Sequence, residues 1–126
     1  VAASKAGLPW LTVFFRAIMC NILVCLGVWM GFAGKSVIDK IFTCIFPVMA
    51  FVACGFEHCV ANMFFLPMGL IAYNNGFGAS VAAAADVLNL SGIVYNISAA
   101  TLGNIMGGAV FVGLVYWFAY RKKAEK

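Results

Sequence analysis

The sequence predicts an all-α integral membrane protein, and its composition and apolar stretches are the observations that predict it. Of its 126 residues, 65% are hydrophobic and 10% are charged, and the mean hydropathy is +1.04. A soluble domain of this length needs more polar surface, because a folded chain cannot hide two-thirds of its residues from water. Three long apolar stretches follow one another, each long enough to enter a bilayer.

The first apolar stretch covers residues 10–32 and predicts one membrane span. Its helix is expected to end near residues 31–34, where two glycines precede a lysine. Trp10 and Trp29 lie near its two ends, as aromatic residues do at membrane interfaces.

The second stretch, residues 41–72, is too long for one straight span. At 1.5 Å per residue it would extend about 48 Å, whereas the hydrocarbon core is about 30 Å thick. Gly55, followed by Glu57 and His58, interrupts it, so we expect two half-helices at about 41–54 and 59–71. Irregular backbone at membrane depth occurs where it lines a cavity or is buried in protein, and a broken helix with polar residues is typical of a transport site.

The third stretch covers residues 93–120 and predicts a further span. Gly103 and Gly107 are four residues apart, a spacing that lets helix backbones approach closely in lipid. The pair fits packing inside a bundle and packing between two copies equally well.

Basic residues set the expected orientation. Lys35 and Lys40 lie in the first loop and the tail 121–126 is basic, whereas the connection after the second stretch carries only Asp86. The positive-inside rule therefore places the first loop and the C-terminus in the cytoplasm. A basic tail beside a span favours a juxtamembrane role over nucleic-acid binding.

Three polar residues at the interruption are the candidates for chemistry. A charged side chain at the centre of a span costs about 2.5–3.5 kcal/mol, so such residues are functional candidates by default. His58 and Asn62 are four residues apart, so they are expected to share a helix face if the second half-helix begins near His58. Glu57 is expected to point elsewhere, towards backbone or a neighbouring helix.

Two further amides lie in the other spans. Asn21 and Asn104 fit interhelical hydrogen bonds or substrate contact, and the sequence leaves both interpretations open. Phe51 is most simply interpreted as a residue that faces lipid or packs.

The five cysteines all lie in apolar stretches, where free thiols pack as small hydrophobic side chains. A metal site formed by Cys54, His58 and Cys59 is the alternative, but the spacing lacks the separated ligand pairs of structural zinc sites. We expect no metal and no cofactor. The sequence also carries no nucleophile–base arrangement or phosphate-binding loop, so we do not expect an enzyme.

Histidine gains and loses its proton near neutral pH. In a dry passage, His58 could donate a proton or a hydrogen bond to the anion of a weak acid. Crossing as the neutral acid avoids the cost of moving a bare anion into a low dielectric.

The segment GFEHCVANMFF, residues 55–65, resembles the signature of the formate/nitrite transporter family. The resemblance extends to FFRAIMCNILVCLGVWM, FPVMAF and LGNIMGGAVFVGLVYW, in that order along the chain. It implies an aquaporin-like protomer of six spans in two inverted three-span repeats, assembled as a homopentamer in a lipid bilayer. This chain resembles spans 4–6. Because it begins at Val1, we interpret it as a fragment whose N-terminal three-span half is a separate chain or a missing segment.

The resemblance also implies roles for pore residues. His58 is similar to the central pore histidine, and Asn62 and Asn21 to pore asparagines. Val24 resembles a residue of the outer constriction, and Phe51 an aromatic of the cytoplasmic-side constriction.

Other positions have supporting roles by the same resemblance. Lys5 corresponds to a buried lysine that attracts anions, and Glu57 to a glutamate that steadies the motif, with Asn104 as a further supporting residue. Cys59 stands where many members have serine.

Together these features predict a channel or transporter for small monovalent anions of weak acids in a bacterial inner membrane. Formate is favoured, with hydrosulfide and nitrite close behind. The alternatives are a structural membrane subunit, whose buried polar residues only fix helix packing, and a metal or redox membrane protein that uses the cysteines.

Overall fold

The computed structural model describes residues 1–77 and 84–121, and these residues form helices joined by short connections. The all-helical prediction is confirmed. The elements are α1 (Ala2–Ala6), α2 (Trp10–Ala33), α3 (Val37–Ala53), α4 (Cys59–Asn74), α5 (Ala84–Val87), α6 (Leu90–Ile105), a π-helical segment (Met106–Leu114) and α7 (Val115–Tyr120). The basic tail after Arg121 and part of the connection after α4 lie outside the described residues.

Among the described residues, two helices are long and apolar enough to cross a membrane: α2, and the continuous helix Leu90–Tyr120 formed by α6, the π-helical segment and α7. They pack along each other through small residues. A side chain at Gly103 would collide with the Phe14 carbonyl of α2, and one at Gly107 with the Ile18 carbonyl. The Gly103–Gly107 pair therefore packs within this chain, where it lets the two backbones touch.

Aromatic residues mark both ends of this helix pair. At one end, the Trp10 backbone N–H donates to the Tyr95 hydroxyl oxygen at 3.0 Å. At the other end, the Trp29 ring lies 4.5 Å from the Tyr116 ring and 5.6 Å from the Tyr120 ring, centroid to centroid. Trp10 and Trp29 are separated by about 28 Å along an ideal helix, close to the roughly 30 Å of a hydrocarbon core.

Helix α3 begins at Val37, before the expected start near residue 41. The reason is a capping box: the Asp39 N–H donates to the Ser36 hydroxyl at 3.1 Å, and the Ser36 N–H donates to the Asp39 carboxylate at 2.9 Å. These bonds from Ser36, and another from the Lys35 N–H, lower the pKa of Asp39 below its usual value. The polar cap thus extends the helix beyond the apolar pattern.

The interruption between α3 and α4 consists of residues 54–58, which we call the break. α3 ends in a Schellman motif, in which the Phe56 N–H donates to the Phe51 carbonyl at 3.0 Å and the Gly55 N–H to the Val52 carbonyl at 3.1 Å. Gly55 has a φ of +65°, a left-handed conformation that glycine adopts without steric cost. The break is therefore built by this glycine.

Helix α4 is longer than expected and ends at Asn74. A second Schellman motif ends it, with Gly76 at φ +81° and the Phe77 N–H bonded to the Ala72 carbonyl at 3.0 Å. The short helix α1 was not expected from the sequence. Its Ala6 packs in a buried cluster with Leu66 of α4 and with Leu88 and Ile93, which brings the start of the chain beside the break.

Candidate functional site

A buried carboxylate lies at the centre of the site. The Lys5 ammonium lies 2.8 Å from one oxygen of Glu57, and the Asn62 amide nitrogen donates to the other oxygen at 2.6 Å. The Glu57 side chain is 2% exposed and that of Lys5 is 19% exposed. Each carboxylate oxygen has a donor, so the negative charge at the break is compensated by a positive one.

Asn96 of α6 links these groups into a closed ring, and we call Lys5, Glu57, Asn62 and Asn96 the polar cluster. The Asn96 side-chain oxygen accepts from the Asn62 amide at 2.8 Å, while its nitrogen donates to the Lys5 carbonyl at 2.9 Å. The cluster connects α1, the break, α4 and α6. Among the described residues, the Asn62 side-chain oxygen has no hydrogen-bond partner although it is buried.

Asn104 of α6 holds the break from the other side. Its side-chain oxygen accepts the Cys59 N–H at 2.9 Å, the first N–H of α4. Its nitrogen donates to the Ala17 carbonyl at 2.8 Å and to the Glu57 carbonyl at 3.1 Å. One buried amide thus joins α2, the break and the start of α4. The Asn21 amide adds a bond to the Asn104 backbone carbonyl, at 2.6 Å.

His58 caps α4 and is half-buried. Its Nδ1 accepts the Val60 N–H at 3.2 Å. In a neutral imidazole one nitrogen accepts and the other carries the hydrogen, so this contact assigns the hydrogen to Nε2. The Phe51 ring lies 5.9 Å from the imidazole, centroid to centroid. The ring of His58 therefore lies beside the end of α3, with a donor nitrogen that the cap leaves available.

His58 and Asn62 make separate contacts, whereas the sequence placed them on one face. Asn62 turns into the polar cluster and pairs with Glu57, from which it was expected to be apart. The reason is the break: α4 begins at Cys59, so neither Glu57 nor His58 follows the helical spacing. Asn96 was missed. It lies eight residues before Asn104, which places both on one face of α6, and this spacing was the available signal.

Val24 and Phe51 lie on the same side of the break. Val24 lines a cavity of about 380 Å³ between α2 and α3, together with Pro47 and Val48 of α3. Phe51 follows Val48 on the same helix, before the break. Helix α2 packs antiparallel to α3, with Gly27 against Pro47. The assignment of Val24 and Phe51 to opposite constrictions, which the resemblance implied, stays a prediction.

The cysteines of the chain are free thiols. Across residues 1–77 and 84–121, no group of three or more His, Cys, Asp or Glu side chains is placed to hold a metal ion.

Comparison with known proteins agrees with this architecture. The sequence pattern that defines the formate/nitrite transporter family matches residues 1–118. A probable formate transporter of Methanothermobacter thermautotrophicus is 44% identical over 125 residues, which are 98% of this chain and 41% of that protein. The formate channel FocA of Haemophilus influenzae is 46% identical over 120 residues, 90% of this chain and 42% of that channel.

A solved structure, a pentameric formate channel with formate bound, superposes with a TM-score of 0.83 at 44% identity. The match covers 96% of this chain and 50% of that one. The chain thus spans less than half the length of the curated relatives above. These relatives are membrane channels and transporters rather than enzymes. The chain belongs to the formate/nitrite transporter family.

Proposed function

We propose that this chain forms part of a channel for small monovalent anions of weak acids, with formate as the preferred substrate. The observation that carries the proposal is His58, whose Nε2 is left available at a helix break in a chain of this family. Two relatives named for formate, each above 40% identity, support formate over nitrite and hydrosulfide.

The proposed mechanism uses His58 as a donor. The ring next to it is the apolar Phe51, and the cavity on that side of the break is lined mainly by apolar side chains. A bare anion there loses its hydration, which is costly in a low dielectric. A hydrogen bond from the neutral Nε2–H offsets that cost. Transfer of a proton needs the imidazolium, which forms when the ring takes up a proton from solution and Nδ1 gives up its contact with the Val60 N–H. The imidazolium then passes one proton to the anion, which crosses as the neutral acid, and the ring returns to the neutral form.

The polar cluster holds the donor in place. Glu57 precedes His58, and Lys5 and Asn62 fix both oxygens of its carboxylate. The Lys5 charge is thereby committed to Glu57, so its attraction for an anion is largely offset. We assign Asn62, Asn104 and Glu57 mainly to positioning the break. Cys59 contributes its backbone N–H, which Asn104 accepts.

The proposed assembly is a homopentamer of six-span, aquaporin-like protomers in a bacterial inner membrane. This chain supplies spans at about 10–32 and 93–120 and a broken span between them, and further polypeptide supplies the rest of each pore. The aromatic residues at the ends of the α2–α6 pair support a bilayer position. The C-terminus is cytoplasmic in this arrangement, following the positive-inside rule.

Flux measurements on the full-length protein in liposomes test this function. We expect formate to cross faster than nitrite and hydrosulfide, and sulfate, a divalent anion, to stay at the rate of protein-free liposomes. If nitrite or hydrosulfide crossed faster than formate, that anion would be the preferred substrate instead of formate. Rates equal to those of protein-free liposomes for all three monovalent anions would overturn the proposal and favour a structural subunit.

A further inference from the structure

One face of α3 leads from the loop that precedes it to the break. Lys40, Cys44 and Val48 are spaced by four residues and all line the cavity between α2 and α3. Phe51 lies three residues further on, and its ring is beside His58. The cavity therefore lies along a continuous helix face that ends at the proposed donor.

The cavity wall offers few polar groups. Val24, Val28 and Gly31 line it from α2, and Thr43 lines it from α3. The Thr43 hydroxyl donates to the Lys40 carbonyl at 3.0 Å, so its hydrogen is used within the helix. In the part of the chain that the structure describes, Lys40 is the charged residue of this wall.

Lys5 has an ion-pair partner, and Lys40 has none among the described residues. Within the described residues the structure has one ion pair, and Lys5 rather than Lys40 is its cation. The neighbouring Asp39 carboxylate accepts from the backbone of Lys35 and Ser36. The Lys40 stem passes close to Gly34, since a Cβ there would lie 3.3 Å from Lys40 Cγ. Lys40 is exposed at one end of an apolar cavity, and among the described residues it forms no ion pair.

We propose that Lys40 is the cation that draws the anion into the passage, and that the cavity between α2 and α3 is the vestibule in which Lys40 concentrates it. This inference rests on the proposed anion flux and deepens it, since it moves the attracting charge from Lys5 to Lys40. A charge without an ion-pair partner next to low-dielectric walls raises the local concentration of a counter-ion by about tenfold or more. The occupant is a small monovalent anion, which matches the single positive charge of the wall.

Removal of this charge tests the proposal. In the full-length protein in liposomes, Lys40→Gln should lower the initial formate flux by about tenfold at low ionic strength. The deficit should shrink at about 1 M salt, where the Debye length is about 3 Å. Lys40→Arg should retain most of the flux because it retains the charge. Lys35→Gln is the matched control: it removes a nearby charge outside the cavity wall and should have a smaller effect.

A second readout does not depend on flux. In a variant of the full-length protein that keeps Cys44 and replaces every other cysteine by serine, the Cys44 thiol lines the cavity. Negatively charged and positively charged methanethiosulfonates of similar size should modify it at different rates, with the anionic reagent favoured. Adding Lys40→Gln should reduce that preference several-fold.

The outcomes separate the two proposals. If the wild-type protein carries formate and Lys40→Gln carries it equally well at low ionic strength, the role of Lys40 is wrong and the channel function stands. If Lys40→Gln leaves the preference of Cys44 for the anionic reagent unchanged, Lys40 does not concentrate anions in the cavity, and the channel function again stands. If the wild-type protein carries no monovalent anion, the channel function fails, and the role of Lys40 fails with it.

Discussion

The Asn104 side chain makes three hydrogen bonds at the break and beside it, more than the side chain of Lys5 or of Glu57 makes. Its one amide serves the first N–H of α4 and two carbonyls, those of Ala17 and Glu57. Each of these groups is buried or half-buried, where an unmade hydrogen bond costs about 1–3 kcal/mol. The shape of the break therefore depends on a side chain that carries no charge.

Asn104→Asp tests this role with almost no change in volume. The aspartate keeps an oxygen for the Cys59 N–H but turns a second oxygen towards the carbonyls of Ala17 and Glu57. We expect a loss of about 3 kcal/mol in the free energy of unfolding, measured as a lower unfolding temperature of the full-length protein in detergent. Asn75→Asp is the control, because the Asn75 amide bonds one carbonyl at the exposed end of α4. Equal unfolding temperatures for the wild-type protein and Asn104→Asp would contradict this role.

For single residues, the sequence predicted which polar side chains are buried, but it did not predict their hydrogen-bond partners. Glu57, Asn62 and Asn104 were candidates because polar groups are costly in a span. The partner of Glu57 is Lys5, 52 residues away along the chain, and no local spacing encodes a contact between α1 and the break. Asn96 was missed because an asparagine among small residues resembles an ordinary packing position until its partner is known.

The break is one element made from two helix ends. Gly55 ends α3 through a left-handed residue, and His58 begins α4 through its ring nitrogen. Only two residues, Phe56 and Glu57, separate them along the chain, so the position of the imidazole depends on the geometry of the glycine. The end of α4 has the same motif at Gly76, but no candidate site residue follows it.

These two glycines give a matched pair of substitutions. Gly55→Ala and Gly76→Ala each force alanine into a left-handed conformation, at about 1–2 kcal/mol. Neither added Cβ meets another atom within 4 Å, so the cost is that of the backbone alone. We expect similar losses of stability, but a lower formate flux in liposomes only for Gly55→Ala. Equal formate fluxes in the two variants would show that transport does not depend on the geometry of the break.

At the level of elements, the apolar pattern and glycine punctuation predicted the helices and the break. The start of α3 was placed too late because the capping box of Ser36 and Asp39 extends the helix into polar sequence. Helix α1 was missed, since five residues are too few for a periodic signal.

In the whole molecule, this chain buries a polar interior but leaves most of its apolar side chains exposed. Phe42, Phe46 and Phe64 are more than half exposed, as are Phe111 and Phe118. In a membrane protein, lipid or further helices of the assembly cover such surfaces. The chain's family membership and its partial coverage of its relatives support the proposed assembly, in which further helices complete the proposed pore.

The proposed function depends on donation from His58 to the permeating anion, and variants of His58 test this donation. The measurement is formate flux against pH, from about 5 to 8, in liposomes with the full-length protein. His58→Gln keeps a donor near the position of Nε2 but cannot titrate, and His58→Ser keeps only a cap for the Val60 N–H. We predict that His58→Gln retains flux with a flattened pH dependence, and that His58→Ser loses most of the flux at every pH. Wild-type flux and pH dependence in His58→Ser would show that His58 does not donate to the anion.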